Sequence, residues 1–543
     1  MSTRPSAFEE KYKPFEEPLK TKIMRILGLP TIKEYLREIW RYGTGKIGLV
    51  LLAILIVISI SAVITMPSNY VNVWNTASYW EDNPQSVPPE WIKYFGYPIA
   101  PQEKVIIPGD RFDYRFNITK KGYFTIKKPI IYYTAKYKLP EEVFPSGILI
   151  KIKKIKIIDR YEVYGVHTGI RYVMPTIQVV VLRPDGINLT VYMSQPQISD
   201  NTTINGEMFA YVNSYLKIRP DLTYLKAPAN LEQFKTVYNI TIREEDIPST
   251  EIQKFIFGKP VLVKENNKTK IEYEPLKGSY KIIVNVIGLP NVGIDYMYDA
   301  VGEVIVIVKG SAFGLMGTDY LGRDLAQGLY YGFPVAMMIG VVVALVDTVI
   351  GVILGAISGY FGGLVDEIIQ RLVDIIGNIP WLPILIIIAN ISYILYPNNP
   401  PMRLWLIMFT LMAIGWGSLT IVIRSMTLSI KSEPYVEAAK CLGAGHKRIL
   451  FLHIVPQVIP YAIASMVFNV PSAILTEAGL SVLGIYHGMP TWGLILSDAR
   501  MNGTIYQWWW ILPPGFLIAI TSLTFVLLGM AIERIVEPRL RTR

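Results

Sequence analysis

The chain carries little charge, one cysteine and few histidines, and each shortage excludes a class of protein. Charged residues make up 18% of the 543 residues, against about 25% in typical soluble domains. Cys441 is the single cysteine, so a secreted domain built on intrachain disulfides is excluded. Hydrophobic residues reach 51%, which excludes fibrous, collagen-like and disordered chains. With only four histidines, no metal site built from histidine and cysteine is predicted.

The chain also lacks the phosphate-binding loop G-x-x-x-x-G-K-[ST] of the P-loop ATPases. The nearest stretch is Gly43-Thr44-Gly45-Lys46, which lacks the first glycine at the required spacing and abuts an apolar run. No catalytic residue is predicted, and the chain is expected not to be an enzyme. If the protein is a pump, ATP is therefore hydrolysed by another subunit.

Long apolar runs are what the sequence does contain. A helix needs about 20 apolar residues to cross a hydrocarbon layer of about 30 Å, and Ile47–Met66 is the first such run. The preceding segment 1–46 holds ten lysines and arginines and is too long and too charged for a simple signal peptide. The later runs are Phe333–Ser358, Leu372–Leu395, Leu404–Ile423, Ile454–Leu483 and Trp510–Ile532. The sequence therefore predicts a multi-pass α-helical membrane protein with six transmembrane helices.

Basic residues predict which way these helices run. Lysines and arginines accumulate in the loop 424–453 and in the tail 534–543, whereas the connection 396–403 holds only Arg403. Because cytoplasmic loops are enriched in such residues, we expect the loop, the tail and the N-terminal segment 1–46 in the cytoplasm. Residues 67–310 are then expected outside the cell.

The large segment 67–310 differs in composition from the rest of the chain. It is rich in tyrosine and in short alternating runs such as Ile177–Leu182 and Glu303–Lys309, which are typical of half-buried strands. Pro184-Asp185-Gly186 is typical of a hairpin turn between two runs. We predict a β-rich domain of two packed antiparallel sheets. Its five N-x-[ST] triplets are possible glycosylation sites, and glycosylation would suggest an archaeal surface: Asn117, Asn188, Asn201, Asn239 and Asn267.

Ionisable residues inside the apolar runs are candidates for function. Asp347 lies in the middle of the second run and is the candidate for a polar residue lining a pathway. Glu367 and Arg371 lie four apart near the start of the third run and can pair on one helix face; a structural ion-pair network is the favoured interpretation there. Glycines at four-residue spacing, Gly351, Gly355 and Gly359, favour close packing of another helix.

The basic loop contains the most informative stretch of the sequence. Pro434 suits the first turn of a helix, Glu437 lies near its positive end, and Ala438 and Ala439 are strong helix formers. Gly443 can take the left-handed conformation that ends a helix. These residues predict a short helix with a small-residue face in the cytoplasm. A mere connecting helix is the alternative.

Three motifs resemble those of a known family. Glu437-Ala438-Ala439 followed by Gly443 and His453-Ile454-Val455-Pro456 resembles the EAA loop of ABC-importer permeases, in the variant of the dipeptide/oligopeptide branch. The stretches Gly317–Asp324 and Glu477–Gly493 resemble two further segments of the C-type permease of that branch. The resemblance covers 311–543 closely, 1–66 loosely and 67–310 not at all. Pro334 stands where relatives often carry arginine.

The resemblance implies a type I ABC-importer permease fold whose core spans 333–533. It also implies that Glu437, Ala438, Ala439 and Gly443 couple the permease to an ATPase subunit. The implied partners are a second homologous permease, two ATPase subunits that bind ATP and Mg, an extracellular substrate-binding protein and membrane lipid. No cofactor in this chain and no nucleic acid are expected.

Several points stay open at the level of sequence. Peptides are the first substrate expected, oligosaccharides the second and nickel a weak third. A membrane-anchored surface receptor or surface-layer anchor, with the β domain as its working part, is an alternative of another class, and a membrane enzyme is a third. The mixed charged and apolar segment 311–332 is expected to form an interfacial helix on the outer leaflet.

Overall fold

The computed structural model describes residues 32–121, 124–140, 142–155, 172–173, 175–194, 198–199, 215–265, 268–288 and 301–536. Its contacts divide the chain into two units. We call Met1–Thr76 with Gln327–Arg543 the membrane unit, and Ala77–Ala326 the inserted unit.

The membrane unit is helical. Within the described residues, five helices are long and apolar enough to cross a membrane, and there are six if one bent pair forms a single span. This agrees with the predicted helical membrane fold. The helices are Ile32–Ile39, Gly43–Thr65, Tyr70–Asn75, Leu325–Phe361, Gly363–Asn378, Trp381–Leu395, Pro400–Ile414, Gly417–Lys431, Pro434–Cys441, His446–Ile449, Val455–Val482, Trp492–Met501 and Trp508–Val536, with a π-helical turn at Leu450–Ile454.

The third span is the bent pair. Helices Gly363–Asn378 and Trp381–Leu395 meet at an angle of 76°. Ile379 is extended, with φ −72° and ψ 128°, because the residue before a proline is pushed out of the helical region. The bend therefore follows from Pro380, which the sequence places inside the third apolar run.

Contacts within the membrane unit identify the two ends of the helix bundle. Ile39, before the first span, packs in one cluster with Ile532 near the end of the sixth. The Tyr330 hydroxyl lies 3.0 Å from Ser61 Oγ, so the end of the first span meets the start of the second. The second span then ends at Phe361 on the same side as Ile39. We call this side, with Ile39, Phe361 and Ile532, the basal end.

The glycine stripe of the second span packs against the fourth, as its spacing predicts. A Cβ at Gly355 would lie 2.7 Å from the carbonyl oxygen of Thr420, and one at Gly359 would lie 2.7 Å from that of Arg424. These backbone atoms leave no room for a side chain. The stripe is therefore a packing feature of this chain.

The expected helix over 311–332 begins only at Leu325, so that prediction is wrong for its first part. The Asp319 carboxylate accepts hydrogen bonds from the backbone N–H groups of Leu321 and Arg323, each at 2.9 Å. It also pairs with the Arg323 guanidinium. A side chain that bonds its own neighbouring backbone competes with the helix, and the segment folds into turns instead.

The inserted unit contains the predicted antiparallel sheets. One sheet has four strands in the order β1-β13-β4-β9 and another has five in the order β2-β3-β12-β6-β7; β10-β11 and β5-β8 are two-stranded. The strands are β1 Glu103–Pro108, β2 Asp113–Lys121, β3 Phe124–Leu139, β4 Gly147–Ile155, β5 Tyr172–Val173, β6 Thr176–Leu182, β7 Asn188–Met193, β8 Ile198–Ser199, β9 Tyr215–Ile218, β10 Gly258–Glu265, β11 Lys268–Pro275, β12 Gly278–Ile287 and β13 Val301–Lys309.

The two larger sheets share one hydrophobic core. Ile150 and Val306 of the four-stranded sheet belong to the same buried cluster as Val179 and Val284 of the five-stranded sheet. The turn between β6 and β7 forms at the predicted place, with Gly186 at φ +86°. Short helices complete the unit at Ala77–Trp80, Leu222–Leu225, Pro228–Tyr238 and Ile252–Phe257, with 3-10 turns at Glu90–Phe95 and Glu244–Asp246.

The glycine packing leads to a stability prediction. Replacing Gly355 with alanine should destabilise the protein by about 1–3 kcal/mol, because the new Cβ meets backbone atoms that can only move with their helix. Thermal unfolding of the detergent-solubilised chain measures the effect. Gly377→Ala is the matched control, since a Cβ there meets nothing within 4 Å. Equal melting temperatures for the two variants would contradict the packing.

Candidate functional site

The loop between the fourth and fifth spans forms the predicted short helix, Pro434–Cys441, which we call the loop helix. Pro434 occupies its first turn, where the missing N–H costs no hydrogen bond. Glu437 also lies in the first turn, near the positive end of the helix dipole. The local chemistry of the sequence is sufficient to form this helix.

Gly443 ends the loop helix in the left-handed conformation, as predicted, with φ +82°. Its N–H donates to the Lys440 carbonyl at 2.9 Å, and the Ala444 N–H donates to the Ala439 carbonyl at 3.0 Å. This pair of bonds is the Schellman motif. A Cβ at Gly443 would meet nothing within 4 Å, so glycine is needed there for its backbone angle and not for space.

One side of the loop helix is anchored and the other is open. Val436 is fully buried in an apolar cluster with Tyr360 of the second span, Ile423 of the fourth and Ile449. Leu442, at the end of the helix, is 88% exposed. Also exposed are Glu437, Ala438 and Cys441, while Ala439 is half-buried. The open side thus presents small residues, one carboxylate and one leucine.

Tyr360 connects the loop helix to the basal end. Its hydroxyl lies 2.9 Å from His446 Nδ1. The ammonium groups of Lys431 and Lys440 lie 5.8 and 6.0 Å from the centre of its ring, within the range of cation–π attraction. Residues from both sides of the loop thus converge on the end of the second span. A displacement of the loop helix would therefore also act on this span.

Asp347 lies inside the bundle. It is 8% exposed and its carboxylate lies against Gly415, at the break between helices Pro400–Ile414 and Gly417–Lys431. Among the described residues its Oδ1 atom has no hydrogen-bond partner. These contacts are with this chain's own fourth span, and a pathway-lining role for Asp347 stays a prediction.

The charged cluster at the start of the third span pairs differently from what its spacing predicts. Asp366 forms a bidentate ion pair with Arg424 of the fourth span. The Arg424 Nε and Nη2 atoms each lie 2.5 Å from one of the two carboxylate oxygens. Within the described part of the chain, Glu367 and Arg371 are both exposed and form no ion pair with each other. The Glu367–Arg371 pair predicted within one helix is thus not formed, and the Asp366–Arg424 pair joins two helices instead. The planar guanidinium of Arg424 matches the two oxygens of the Asp366 carboxylate.

Glu477 is the centre of a buried polar hub. Its Oε1 atom accepts hydrogen bonds from Ser481 Oγ at 2.9 Å and Thr491 Oγ1 at 2.8 Å, and lies 2.9 Å from His487 Nε2. All four side chains are nearly inaccessible. A buried carboxylate is costly unless it is paired and hydrogen-bonded, and this hub meets the requirement.

The roles of His487 and Thr491 are not predicted by any pattern in the sequence. One signal in the sequence was the four-residue spacing of Glu477 and Ser481 within an apolar helix. It indicates a buried carboxylate, and such a carboxylate needs hydrogen-bond donors around it. Thr491 also caps helix Trp492–Met501 by accepting from the Leu494 N–H at 3.2 Å. The two halves of the Glu477–Gly493 motif are thus joined by one carboxylate.

Three of the five possible glycosylation sites lie on described residues. Asn117 on β2, Asn188 at the start of β7 and Asn239 just after helix Pro228–Tyr238 are all exposed. Asn201 and Asn267 lie outside the described residues. Glycosylation stays a prediction for all five.

Comparison with known proteins identifies relatives of the membrane unit. The family of binding-protein-dependent transport system inner membrane components matches residues 351–542. The oligopeptide transport system permease protein OppC of Bacillus subtilis (strain 168) is 37% identical over 229 residues, which cover 41% of this chain and 72% of that protein. The dipeptide transport system permease protein DppC of the same strain is 33% identical over 233 residues, covering 42% and 70%. OppC of Escherichia coli (strain K12) is 34% identical over 225 residues, covering 41% and 72%.

The polar hub leads to a second stability prediction. Replacing Glu477 with alanine leaves buried donors without their acceptor, and each such group costs about 1–3 kcal/mol. We expect a clear fall in the melting temperature of the solubilised chain. Thr476→Ala is the control, because this half-buried neighbour on the same helix donates to the Ser472 carbonyl and is not a member of the hub. A Glu477→Ala variant as stable as Thr476→Ala would show that the hub contributes nothing.

Proposed function

This chain belongs to the family of binding-protein-dependent transport system inner membrane components, and we propose that it translocates peptides as one of two permeases in its importer. It is the permease subunit of an ATP-driven importer, a multi-pass membrane protein and not an enzyme. The proposed partners are a second homologous permease, two ATPase subunits that bind ATP and Mg, and an extracellular substrate-binding protein.

The loop helix is the proposed contact with the ATPase. The observation that carries this assignment is its one-sided burial: Val436 is fully buried whereas Leu442 is 88% exposed. A helix held by one apolar residue leaves its other side free for a groove on a partner. Glu437, Ala438 and Ala439 would lie in that groove, and Gly443 would set where the helix ends.

The contacts of Val436 suggest how force would reach the membrane. Its cluster includes Tyr360 of the second span, Ile423 of the fourth and Ile449 at the start of the fifth. When two ATPases close on ATP, a displaced loop helix would carry these spans with it as a rigid body. The pathway would then change from inward-open to outward-open and receive substrate from the binding protein.

The orientation follows from the positions of the basic residues. The loop helix packs on Tyr360 at the basal end, where Ile39 and Ile532 also lie. Because the loop 424–453 is rich in lysine and arginine, the basal end is proposed to face the cytoplasm, together with both termini. The inserted unit follows the other end of the first span and is proposed to be extracellular.

Peptides are the proposed substrate because the relatives are transport permeases for oligopeptides and dipeptides. The sequence left an oligosaccharide importer and a membrane-anchored surface receptor or surface-layer anchor as alternatives. Neither is favoured by these relatives. A peptide substrate would reach this chain through the binding protein.

The coupling assignment predicts a transport defect. Replacing Glu437 and Gly443 together with alanine should abolish peptide uptake and uncouple ATP hydrolysis from it in membrane vesicles holding the whole importer. Alanine at φ +82° costs about 1–2 kcal/mol and loosens the last turn of the loop helix, while the Glu437 change alters its open side.

Gly445→Ala is the matched control in the same loop. Gly445 has φ −67°, and a Cβ there meets nothing within 4 Å, so uptake should be retained. Immunoblotting checks that each variant reaches the membrane. Normal uptake by the double variant would refute the coupling role.

A further inference from the structure

The inserted unit contains a cavity of about 310 Å³. It lies where the start of β4 and the end of β13 meet helix Ile252–Phe257, beside the residues that follow β9. All of its lining residues belong to the inserted unit. The volume is at the small end of the range of about 300–1,000 Å³ found for ligand pockets.

The polar part of the cavity lining consists of two cations and of neutral side chains that can donate hydrogen bonds. Neither aspartate nor glutamate is among the lining residues. The polar side chains that line it are Gln85, Ser146, Arg219, Thr250, Gln253 and Lys309. The buried Ser146 hydroxyl has no hydrogen-bond partner among the described residues. A surface composed in this way is suited to a ligand that supplies acceptors and negative charge.

Lys309 is the most unusual of these side chains. It is 8% exposed, and lysine is almost never buried to this degree without a partner. Within the part of the chain that the structure describes, its ammonium group forms no ion pair or hydrogen bond. Burial and the nearby positive charge of Arg219 lower the pKa of Lys309 to about 8. The negative charges of Asp82 and Glu81 act in the other direction and raise it, but by less.

The two acids nearest to this region are already engaged elsewhere. Glu81 pairs with Lys217 at 2.5 Å and with Lys151 at 3.3 Å. Asp82 pairs with Lys151 at 2.5 Å and with Lys104 at 2.9 Å. Arg219 reaches Glu81 only at 3.9 Å. The cluster therefore has more cations than acids, and Lys309 and Arg219 are the cations that line the cavity.

The other part of the cavity lining is apolar. Ile148 and Leu149 come from β4, and Ile252 and Ile256 come from one face of the short helix. An inorganic anion would leave the apolar part of the cavity unfilled. A ligand that combines one acidic group with an apolar part satisfies both kinds of surface.

We propose that this cavity binds a small organic carboxylate, with Lys309 and Arg219 binding the carboxylate and Ile252 and Ile256 contacting the apolar part. The inserted unit is then a ligand-binding domain in its own right. The proposal does not depend on the transport role of the membrane unit. It would hold or fail without changing the coupling assignment.

Calorimetric titration of the purified full-length chain tests the proposal with three probes. N-acetyl-leucine carries a carboxylate and an apolar side chain, N-acetyl-leucinamide is its neutral counterpart, and inorganic phosphate is an anion without an apolar part. We expect N-acetyl-leucine to bind at least tenfold more tightly than either of the others. Equal affinity for the amide, tighter binding of phosphate, or no binding of N-acetyl-leucine would each overturn the proposal.

Variants assign the binding to this cavity. Lys309→Met and Arg219→Gln should each weaken N-acetyl-leucine binding at least tenfold. Arg219 has a side chain that is 63% exposed, so its replacement tests the site even if Lys309→Met fails to fold. Lys153→Gln is the control. It also removes one positive charge, but from a residue of β4 that does not line the cavity, and it should leave the affinity for N-acetyl-leucine within twofold. An unchanged affinity in Arg219→Gln would overturn the proposal.

The pH dependence of binding provides a separate readout. Lys309 binds an anion in its charged form, so affinity should be constant while the lysine and the ligand's carboxylate are both ionised, and should fall as the pH rises through about 8. The other charged groups around it are Arg219, Lys151, Glu81 and Asp82, and Lys309→Met retains all of these. The fall should therefore disappear in Lys309→Met if binding is still measurable. A wild-type affinity that does not change between pH 7 and 9.5 would contradict the role of Lys309.

Discussion

The burial of Val436 is the interaction on which the proposed coupling role of the loop helix depends. It is the single buried residue of the loop helix, and burying a valine side chain is worth about 1.5–3 kcal/mol. That is enough to hold an eight-residue helix to the bundle but leaves most of its surface open. The cluster around Val436 is formed by several spans, so in the proposed mechanism a displaced loop helix would carry them with it. Attachment on one side and exposure on the other are what a mechanical link between two proteins requires.

The bundle beneath the loop helix is held together by small residues and by satisfied charges. Gly355 and Gly359 let the second span approach the backbone of the fourth, and the Asp366–Arg424 pair joins the third span to the fourth. Glu477 joins the fifth span to the segment that follows it. Such contacts have few alternative geometries, and the proposed mechanism therefore has the spans moving together as a body. Asp347 differs from these acids, because its Oδ1 atom has no partner among the described residues.

Sequence patterns predicted those features that depend on neighbouring residues. The length of each apolar run predicted the spans, alternation predicted the strands, and Gly443 predicted the end of the loop helix. Features that depend on distant residues were missed. The partner of Asp366 is Arg424, which lies on another span. The cavity of the inserted unit is lined by residues from segments that are far apart in the sequence, between Gln85 and Lys309. The segment 311–332 was predicted as a helix because its composition is amphipathic, but Asp319 bonds its own backbone and forms turns instead.

The rate at which Cys441 reacts with a maleimide tests the central claim most directly. Cys441 is the single cysteine of the chain, is exposed and lies at the end of the loop helix. The rate is compared in membranes that contain the permeases alone and in membranes that contain the whole importer. If the loop helix is the docking site, the ATPase subunits should slow the reaction at least tenfold, and removing them should restore the faster rate. Equal rates with and without the ATPase subunits would contradict the account.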